Sequence, residues 1–255
     1  MHVRPVVGIP EIREGDDIAS ILETLDAPKA DDVVVIASTI VSKAEGRARR
    51  LDSYSPGERA LEIADRLGER AGEEKDPRFA QAVIEESDEI LIDDPFLLTV
   101  THFGHIGVNA GIDRTNIAEG SDILLLPAAP SASAKRIRDN LTNHPPVIIS
   151  DTCGRPFRYG QRGVAIGWAG IPPTRDWRGC RDRQGRTLHV TVEAIVDELA
   201  AAANLVTGES DEGLPVAYIE NWLPDTIDGG TALFRSEETD FVRQALRSWR
   251  YDTDP

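Results

Sequence analysis

Five short segments carry residues whose types and spacing can do chemistry. Gly8, Ile9, Pro10, Glu11 and Ile12 form a Gly-x-Pro turn that presents backbone groups and can wall a base pocket; the alternative is a plain turn after an N-terminal strand. Ser38, Thr39 and Lys43 follow the most apolar run of the chain. Hydroxyls and a lysine after a strand suit an anionic ligand at a sheet's carboxyl edge. The glycines of a Walker-type phosphate loop are missing, and a capped turn with a solvated lysine reads equally well. In the stretch N-A-G-I-D-R-T-N, residues 109–116, Gly111 permits a tight backbone while Asp113 and Asn116 offer hard oxygens of the kind Mg²⁺ or Mn²⁺ takes. An Asx turn explains the same residues. In S-D-T-C-G-R-P-F-R-Y-G, residues 150–160, Asp151 and Thr152 stand at the exit of an apolar run, a rigid place for metal ligands. Arg155 and Arg158 can clamp a carboxylate or phosphate, or simply pair with nearby acids. In G-E-S-D-E-G, residues 208–213, three acids between glycines can chelate a cation or form a solvated loop.

Together the last three segments supply Asp, Thr and Glu oxygens, and the second supplies a lysine. That set suits phosphoryl transfer, in which hard metal ions neutralise phosphate oxygens and a cation completes the clamp. A metal-dependent phosphohydrolase could use the same carboxylates, and a non-catalytic nucleotide-binding module could use the same loops. His102 and His105 lack a third ligand at zinc-like spacing and read as ordinary hydrogen-bonded histidines. Cys153 and Cys180, the two cysteines, make neither a disulfide framework nor a zinc site and read as reduced thiols.

The surroundings narrow the partners. The chain of 255 residues carries a net charge of -16, and four lysines against 24 arginines. Acids spread along the chain with scarce lysine suit the surface of a protein working in high salt, where screening weakens self-repulsion; an acidic face for a basic partner is the competing reading. Nucleic-acid binding is disfavoured because no basic stripe exists to neutralise phosphates. A nucleotide or carboxylate substrate would be repelled by so acidic a chain, which makes local metal ions necessary. No secretory signal and no run near the roughly 20 apolar residues of a membrane span is present, so a cytoplasmic location is expected.

Strands are expected over 33–38, 122–126 and 147–150 from their apolar runs. Helices are expected over 58–72 after Pro56, over 79–91, and over 131–141 with Ser131 or Ser133 as cap. The clearest helix follows Thr191, with Val192, Ile195, Val196, Leu199 and Val206 on one face and Gly208 at its end. A last helix is expected after Ser236, with Glu237 and Glu238 in its first turn and Phe241, Val242, Ala245, Leu246 and Trp249 as its apolar stripe. The Gly/Pro-rich stretch 154–173 reads as a long functional loop. Strands and helices do not alternate strictly, so a mixed α+β architecture is expected rather than a doubly wound sheet.

In this order the segments resemble the coenzyme F420-0:L-glutamate ligase family, the F420 γ-glutamyl ligases. The resemblance is carried by V-x-G-I-P-E-I-x-x-G-D-D, V-V-V-I-A-S-T-I-V-S-K-A-E-G-R, K-D-P-R, N-A-G-I-D-R-T-N, L-L-P, I-S-D-T-x-G-R-P-F-R-Y-G-Q, A-I-G-x-A-G-I and D-E-L-A-A-A-A-x-L-V-x-G, over roughly residues 6–220. It implies an α+β fold with mixed sheets and helices in two intertwined subdomains, forming a homodimer; some relatives carry an extra C-terminal domain of nitroreductase type, for which 255 residues are expected to be too few. It implies GTP, Mg²⁺ or Mn²⁺ at two sites, a stimulating monovalent cation (K⁺), and L-glutamate added first to F420-0 by an amide bond and then to F420-1 by a γ-linkage. By the same resemblance Gly8, Ile9, Pro10, Glu11, Ile12, Ser38, Thr39, Lys43 and Asn116 look like nucleotide contacts. Asp113 and Asp151 look like ligands of one metal, Thr152 and Glu209 of a second. Val206, Thr207, Gly208, Glu209, Ser210, Asp211, Glu212 and Gly213 look like a further nucleotide loop. Lys43, Asp113 and Asp151 are the catalytic candidates.

Overall fold

The computed structural model describes residues 1–117, 119–222 and 229–252, except the side chains of 249–252. In chain order its elements are β1 (His2–Pro5), α1 (Ile18–Asp26), β2 (Val33–Ala37), α2 (Ser38–Ala44), β3 (Ala48–Arg49), α3 (Glu58–Ala71), α4 (Pro77–Glu85), β4 (Ser87–Ile92), β5 (Leu98–Thr101), β6 (Ile106–Val108), β7 (Ile123–Leu124), α5 (Pro130–Asn140), β8 (Val147–Cys153), β9 (Arg162–Ala169), β10 (Arg175–Asp176), β11 (Val192–Glu193), α6 (Ile195–Thr207), β12 (Val216–Glu220) and α7 (Phe241–Asp252). Helices and mixed sheets make this an α+β fold. The chain forms two compact units, each drawn from two separate stretches: Met1–Glu45 with Ala129–Leu233, and Gly46–Ala128 with the chain from Phe234 onward.

The first unit is built on a five-stranded sheet in the order β1-β12-β2-β8-β9. β2 and β8 pair in parallel, Ala37 opposite Ser150, and every other pair in the sheet is antiparallel. Val33, Val34, Val35 and Ile36 are all buried, as a strand covered on both faces requires. α6 packs on one face through Ile195, Val196, Leu199, Ala200 and Ala203 against Val35, Ile148 and Ala217. Two glycines of β9 let helices approach: a Cβ on Gly163 would lie 2.6 Å from Ala200 O in α6, and one on Gly167 2.4 Å from Pro130 C in α5. Four residues apart in one strand, both should face the same way. A register shift between Ile149 and Ser150 on the partner strand adds one residue to β9 and turns Gly167 to the other face.

The second unit holds the antiparallel sheet β4-β5-β6, the pair β3-β7, and α3, α4 and α7. Its core gathers Ile63 of α3, Val83 of α4, Leu97, Ile112, Ile123 and Leu125. α7 is tied to β4 by charge: Glu89 accepts from Arg243 Nε at 2.8 Å and from Arg247 Nη2 at 2.8 Å.

Several expected boundaries move, each for a local reason. The helix expected over 79–91 is two elements. Asp76 caps it by accepting from Arg78 N at 2.9 Å, Pro77 takes its first turn, and β4 claims 87–92 by pairing with β5. The helix expected after Thr191 starts at Ile195 because Val192 and Glu193 pair with β10. Neither Ser131 nor Ser133 caps α5; Ser133 Oγ donates to Glu45, and Ser131 Oγ accepts from Trp168 N at 3.4 Å. α7 begins at Phe241 with Asp240 accepting from Val242 N and Arg243 N, so Glu237 and Glu238 lie in the preceding turn. Its expected apolar stripe is not a core face, since Phe241 is 75 % and Val242 70 % exposed; the Trp249 side chain lies outside the described residues. The long loop expected over 154–173 is interrupted by β9, which takes the eight residues Arg162–Ala169. No described helix is long and apolar enough to cross a membrane.

Candidate functional site

The parallel pair β2–β8 gives the first unit a carboxyl edge, where ligands of open α/β sheets collect. β2 does not end in a loop there. Ala37 leads straight into α2, so Ser38, Thr39 and Lys43 are helical residues rather than turn residues. Ser38 is buried and donates from Oγ to Asp151 Oδ1 at 3.1 Å. Asp151 and Thr152, expected at a strand's exit, are among the last three residues of the strand itself. β8 runs on to Cys153, with Asp151 opposite Val164 and Thr152 opposite Gly163 on β9, so a ladder holds both donors.

Neighbours in a strand face opposite ways, and the two donors have separate partners. Thr152 Oγ1 donates to Glu209, 3.0 Å from Oε1 and 3.2 Å from Oε2. Glu209 Oε1 also accepts from Asn204 Nδ2 at 2.6 Å. α6 thus delivers the Glu209 loop to β8. Gly208, at φ 73, ends the helix. Beyond it Glu212 folds the loop back on itself: its carboxylate accepts from Ser210 N at 2.8 Å, and backbone donors hold its pKa below the ordinary glutamate value. Glu212 is therefore a loop staple, while Ser210, Asp211 and Gly213 are exposed.

Lys43 is only 9 % exposed and donates from Nζ to Glu11 Oε1 at 2.6 Å. That ion pair brings the Gly8–Glu11 turn to α2, and Gly8 (φ 83) and buried Ile12 fix the turn at its two ends. The lysine read as a possible solvated cap is thus a nearly buried cation with a carboxylate partner. Cys153 follows the donors, but burial and then the Asp151 carboxylate push its thiol up, away from nucleophilic use.

Asp113 and Asn116 belong to the second unit. Asn109, Ala110 and Gly111 all have positive φ (53, 55 and 67°), and a Cβ on Gly111 would stand 2.4 Å from Leu126 Cδ1, so only glycine fits there. Asp113 exchanges backbone hydrogen bonds with Leu124, and its Oδ1 accepts from Thr115 N at 2.9 Å and Thr115 Oγ1 at 2.8 Å. The Asx turn is real, and it holds the carboxylate in one orientation. Among the described residues no group of three or more His, Cys, Asp and Glu side chains is gathered as a metal cluster. The hard-oxygen donors instead stand as carboxylate–hydroxyl pairs, Asp151 with Ser38 and Glu209 with Thr152.

A family model described as F420-0:Gamma-glutamyl ligase matches residues 7–221. The chain belongs to the F420-0:γ-glutamyl ligase family. Among its relatives is a coenzyme F420:L-glutamate ligase from Halorubrum lacusprofundi, 59 % identical over 252 residues, covering 99 % of this chain and 100 % of the relative. Another of the same description, from Natronomonas pharaonis, is 59 % identical over 252 residues, covering 99 % and 98 %. One from Archaeoglobus fulgidus is 45 % identical over 251 residues, covering 97 % and 98 %.

The match to the F420-0:γ-glutamyl ligase family spans both units and every segment singled out above. Sequence reasoning missed Asn204, which holds Glu209. Its signal was position: the last turn of a helix reaches the loop that follows it, and Asn204 stands five residues before Glu209. His102 and His105, three residues apart, have different surroundings. His102 bonds Asp88 at 2.6 Å and the Glu85 carbonyl at 2.8 Å, and these acceptors raise its pKa. His105 is buried between Phe103 and Phe234, where desolvation holds its pKa down to about 4.

Proposed function

We propose that this chain is a cytoplasmic, GTP-dependent acid–amino-acid ligase of coenzyme F420 biosynthesis. It joins L-glutamate to the lactyl carboxylate of F420-0 by an amide bond, then adds a second glutamate to F420-1 by a γ-linkage. It works as a homodimer stimulated by K⁺. The observation that carries the reading is the family match over residues 7–221, which includes both carboxylate–hydroxyl pairs of the first unit.

A carboxylate is a poor electrophile, so it must first be activated. Attack of a carboxylate oxygen on the γ-phosphorus of GTP releases GDP and leaves an acyl phosphate. The neutral amine of glutamate then attacks the acyl carbon, and inorganic phosphate leaves as the amide forms and a proton is lost. The chain's share is positioning and charge. Lys43 is held at the Gly8–Ile12 turn to meet nucleotide phosphates, with Thr39 and Asn116 as further nucleotide contacts and the 206–213 loop closing over the nucleotide.

The donor chemistry fits Mg²⁺ or Mn²⁺. Such ions take hard oxygens and need only one or two carboxylates from the protein when phosphates and water complete the shell. Thr152 and Glu209 would hold one ion. Asp151 would hold the other, together with Asp113, whose part rests on the resemblance of the 109–116 segment alone. Bound there, the ions would neutralise phosphate oxygens that an acidic chain otherwise repels.

The test is mass spectrometry of F420-0 incubated with the protein, GTP, Mn²⁺ and glutamate. Gain of one and then two glutamyl units is expected, with one GDP released per unit. Nucleotide hydrolysis at the same rate without glutamate or acceptor would overturn the ligase reading.

A further inference from the structure

The tip of the β8–β9 hairpin is built unlike the rest of the molecule. The ladder closes at Cys153–Arg162, leaving residues 154–161 as the tip, which begins two residues beyond Thr152. Phe157 is 104 % and Tyr159 103 % exposed, so neither ring is covered by any part of the described chain. Surface aromatics are ordinary one at a time, but here two bare rings stand two residues apart at the tip of one hairpin. Phe157 also has φ 66, a conformation that bulky side chains rarely take and that persists at sites with a use for it.

The charge around these rings is the reverse of the protein's. The chain has net charge -16, yet no Asp or Glu occurs between Asp151 and Asp176, while Arg155, Arg158 and Arg162 do. Arg162 lies 3.8 Å from Asp197, whereas Arg155 and Arg158 are exposed and form no ion pair among the described residues. Two rings interleaved with two uncommitted guanidinium groups form a surface for a ligand that is both flat and anionic: rings stack on its plane, and guanidinium forks take its carboxylate or phosphate.

We infer that this tip is the acceptor-binding element: Phe157 and Tyr159 stack on the fused-ring chromophore, and Arg155 and Arg158 bind the anionic tail that ends in the reacting carboxylate. The inference rests on the reading given under the proposed function and adds the residues that recognise the acceptor. Its logic is positional as well as chemical. The tip continues directly from the strand that carries Asp151 and Thr152, so a tail held by Arg155 leads back toward them.

The test uses the full-length protein and F420-0, whose own fluorescence anisotropy reports binding. Phe157→Ala/Tyr159→Ala is expected to weaken F420-0 binding about tenfold to hundredfold, the range that loss of stacking on aromatic side chains gives. Phe157→Trp is expected to retain wild-type affinity, since it keeps a stacking face. Arg155→Gln/Arg158→Gln is expected to weaken binding about tenfold and to reduce its dependence on salt. GTP affinity and the urea midpoint should stay unchanged in all three, because the side chains touch neither the core nor the proposed nucleotide contacts. Unchanged F420-0 binding in the double alanine variant overturns the inference. That includes the case in which sedimentation shows the variant falling from dimer to monomer, which would assign the rings to a second copy of this chain. Binding and glutamate transfer are read separately. A protein that binds F420-0 through the tip but adds no glutamate overturns the ligase reading and upholds the tip; normal transfer and binding by the tip variants does the reverse.

Discussion

Thr152 and Glu209, 57 positions apart in sequence, share one hydrogen-bonded arrangement in which the threonine hydroxyl donates to both carboxylate oxygens, at 3.0 and 3.2 Å. Both side chains are solvent-accessible, so the contact adds little to stability: an exposed neutral–ionic bond of this kind contributes about 1 kcal/mol or less. Its value lies in presenting three oxygens together on two rigid supports, the β8 ladder and the end of α6.

Thr152→Ala and Glu209→Ala are therefore expected to leave the urea midpoint nearly unchanged while raising the Mn²⁺ concentration for half-maximal ligation by at least about tenfold. Thr152→Ser should restore the wild-type curve, because the hydroxyl rather than the methyl is the donor. Superimposable metal curves for wild type and Glu209→Ala would remove this pair from the proposed metal site.

Gly111 and Asp113 separate strain from charge in the second unit. Gly111→Ala places a methyl 2.4 Å from Leu126 Cδ1 on a residue at φ 67. Crowding plus left-handed strain should cost about 1–3 kcal/mol, measured by urea unfolding. Asp113→Asn keeps an oxygen able to accept from Thr115 N and Oγ1, so the turn and the stability survive while the negative charge goes. Ligation should then fall at least about a hundredfold, the order expected for losing several kcal/mol of charge stabilisation around phosphate. Full activity in Asp113→Asn would reduce the residue to a turn former.

How much of this could be read from the chain differs by level. The segments with chemistry were legible because they mix rare residue types: Lys43 is one of four lysines, and Asp151-Thr152 follows an uninterrupted apolar run. The buried strand at 33–37 was legible for the same reason. Boundaries failed where pairing partners far along the chain decided them. Val192 and Glu193 continue a helical pattern, yet β10 claims them, and residues 87–92 continue α4's pattern until β5 claims them. Long-range hydrogen bonding overrides local propensity at such places. Pairings between segments were equally hidden: neither Glu11 with Lys43 nor Asn204 with Glu209 has a local signature beyond loop position.

His105 is expected to make stability fall in mild acid. Its imidazole is buried, and desolvation holds its pKa down to about 4 against an ordinary 6.5. Between those values the unfolded chain binds a proton that the folded chain refuses, so protons favour unfolding. The contribution is fully present above pH 6.5, declines as pH falls through 6.5, and is exhausted near pH 4. With about 1.4 kcal/mol per pKa unit, the loss across this window is on the order of 3 kcal/mol. His105→Phe, which keeps a ring between Phe103 and Phe234, should flatten the acid slope between pH 6.5 and 4 in urea unfolding. An identical slope in the variant would assign the acid sensitivity to other groups.

Net charge sets the last expectation. With 44 acids against 28 basic residues, the folded chain concentrates repulsion that the expanded chain spreads out. Salt acts on two opposing terms. It screens this repulsion, which stabilises the fold, and it screens exposed ion pairs such as Arg50–Asp52 and Arg178–Asp176, which weakens it. Such exposed pairs contribute little, and pairs separated by two residues survive in the unfolded chain, so their loss is small. Repulsion acts over the whole surface and should dominate. The urea midpoint is therefore expected to rise steadily from 0.1 M to 2 M KCl; urea is required because guanidinium would itself screen. Neutralising two exposed acids of the second unit that have no ion-pair partner among the described residues, Glu69→Gln and Glu74→Gln together, should raise the midpoint in 0.1 M KCl and shrink the salt effect. A midpoint that falls with salt would mean that ion pairing, not self-repulsion, governs this surface.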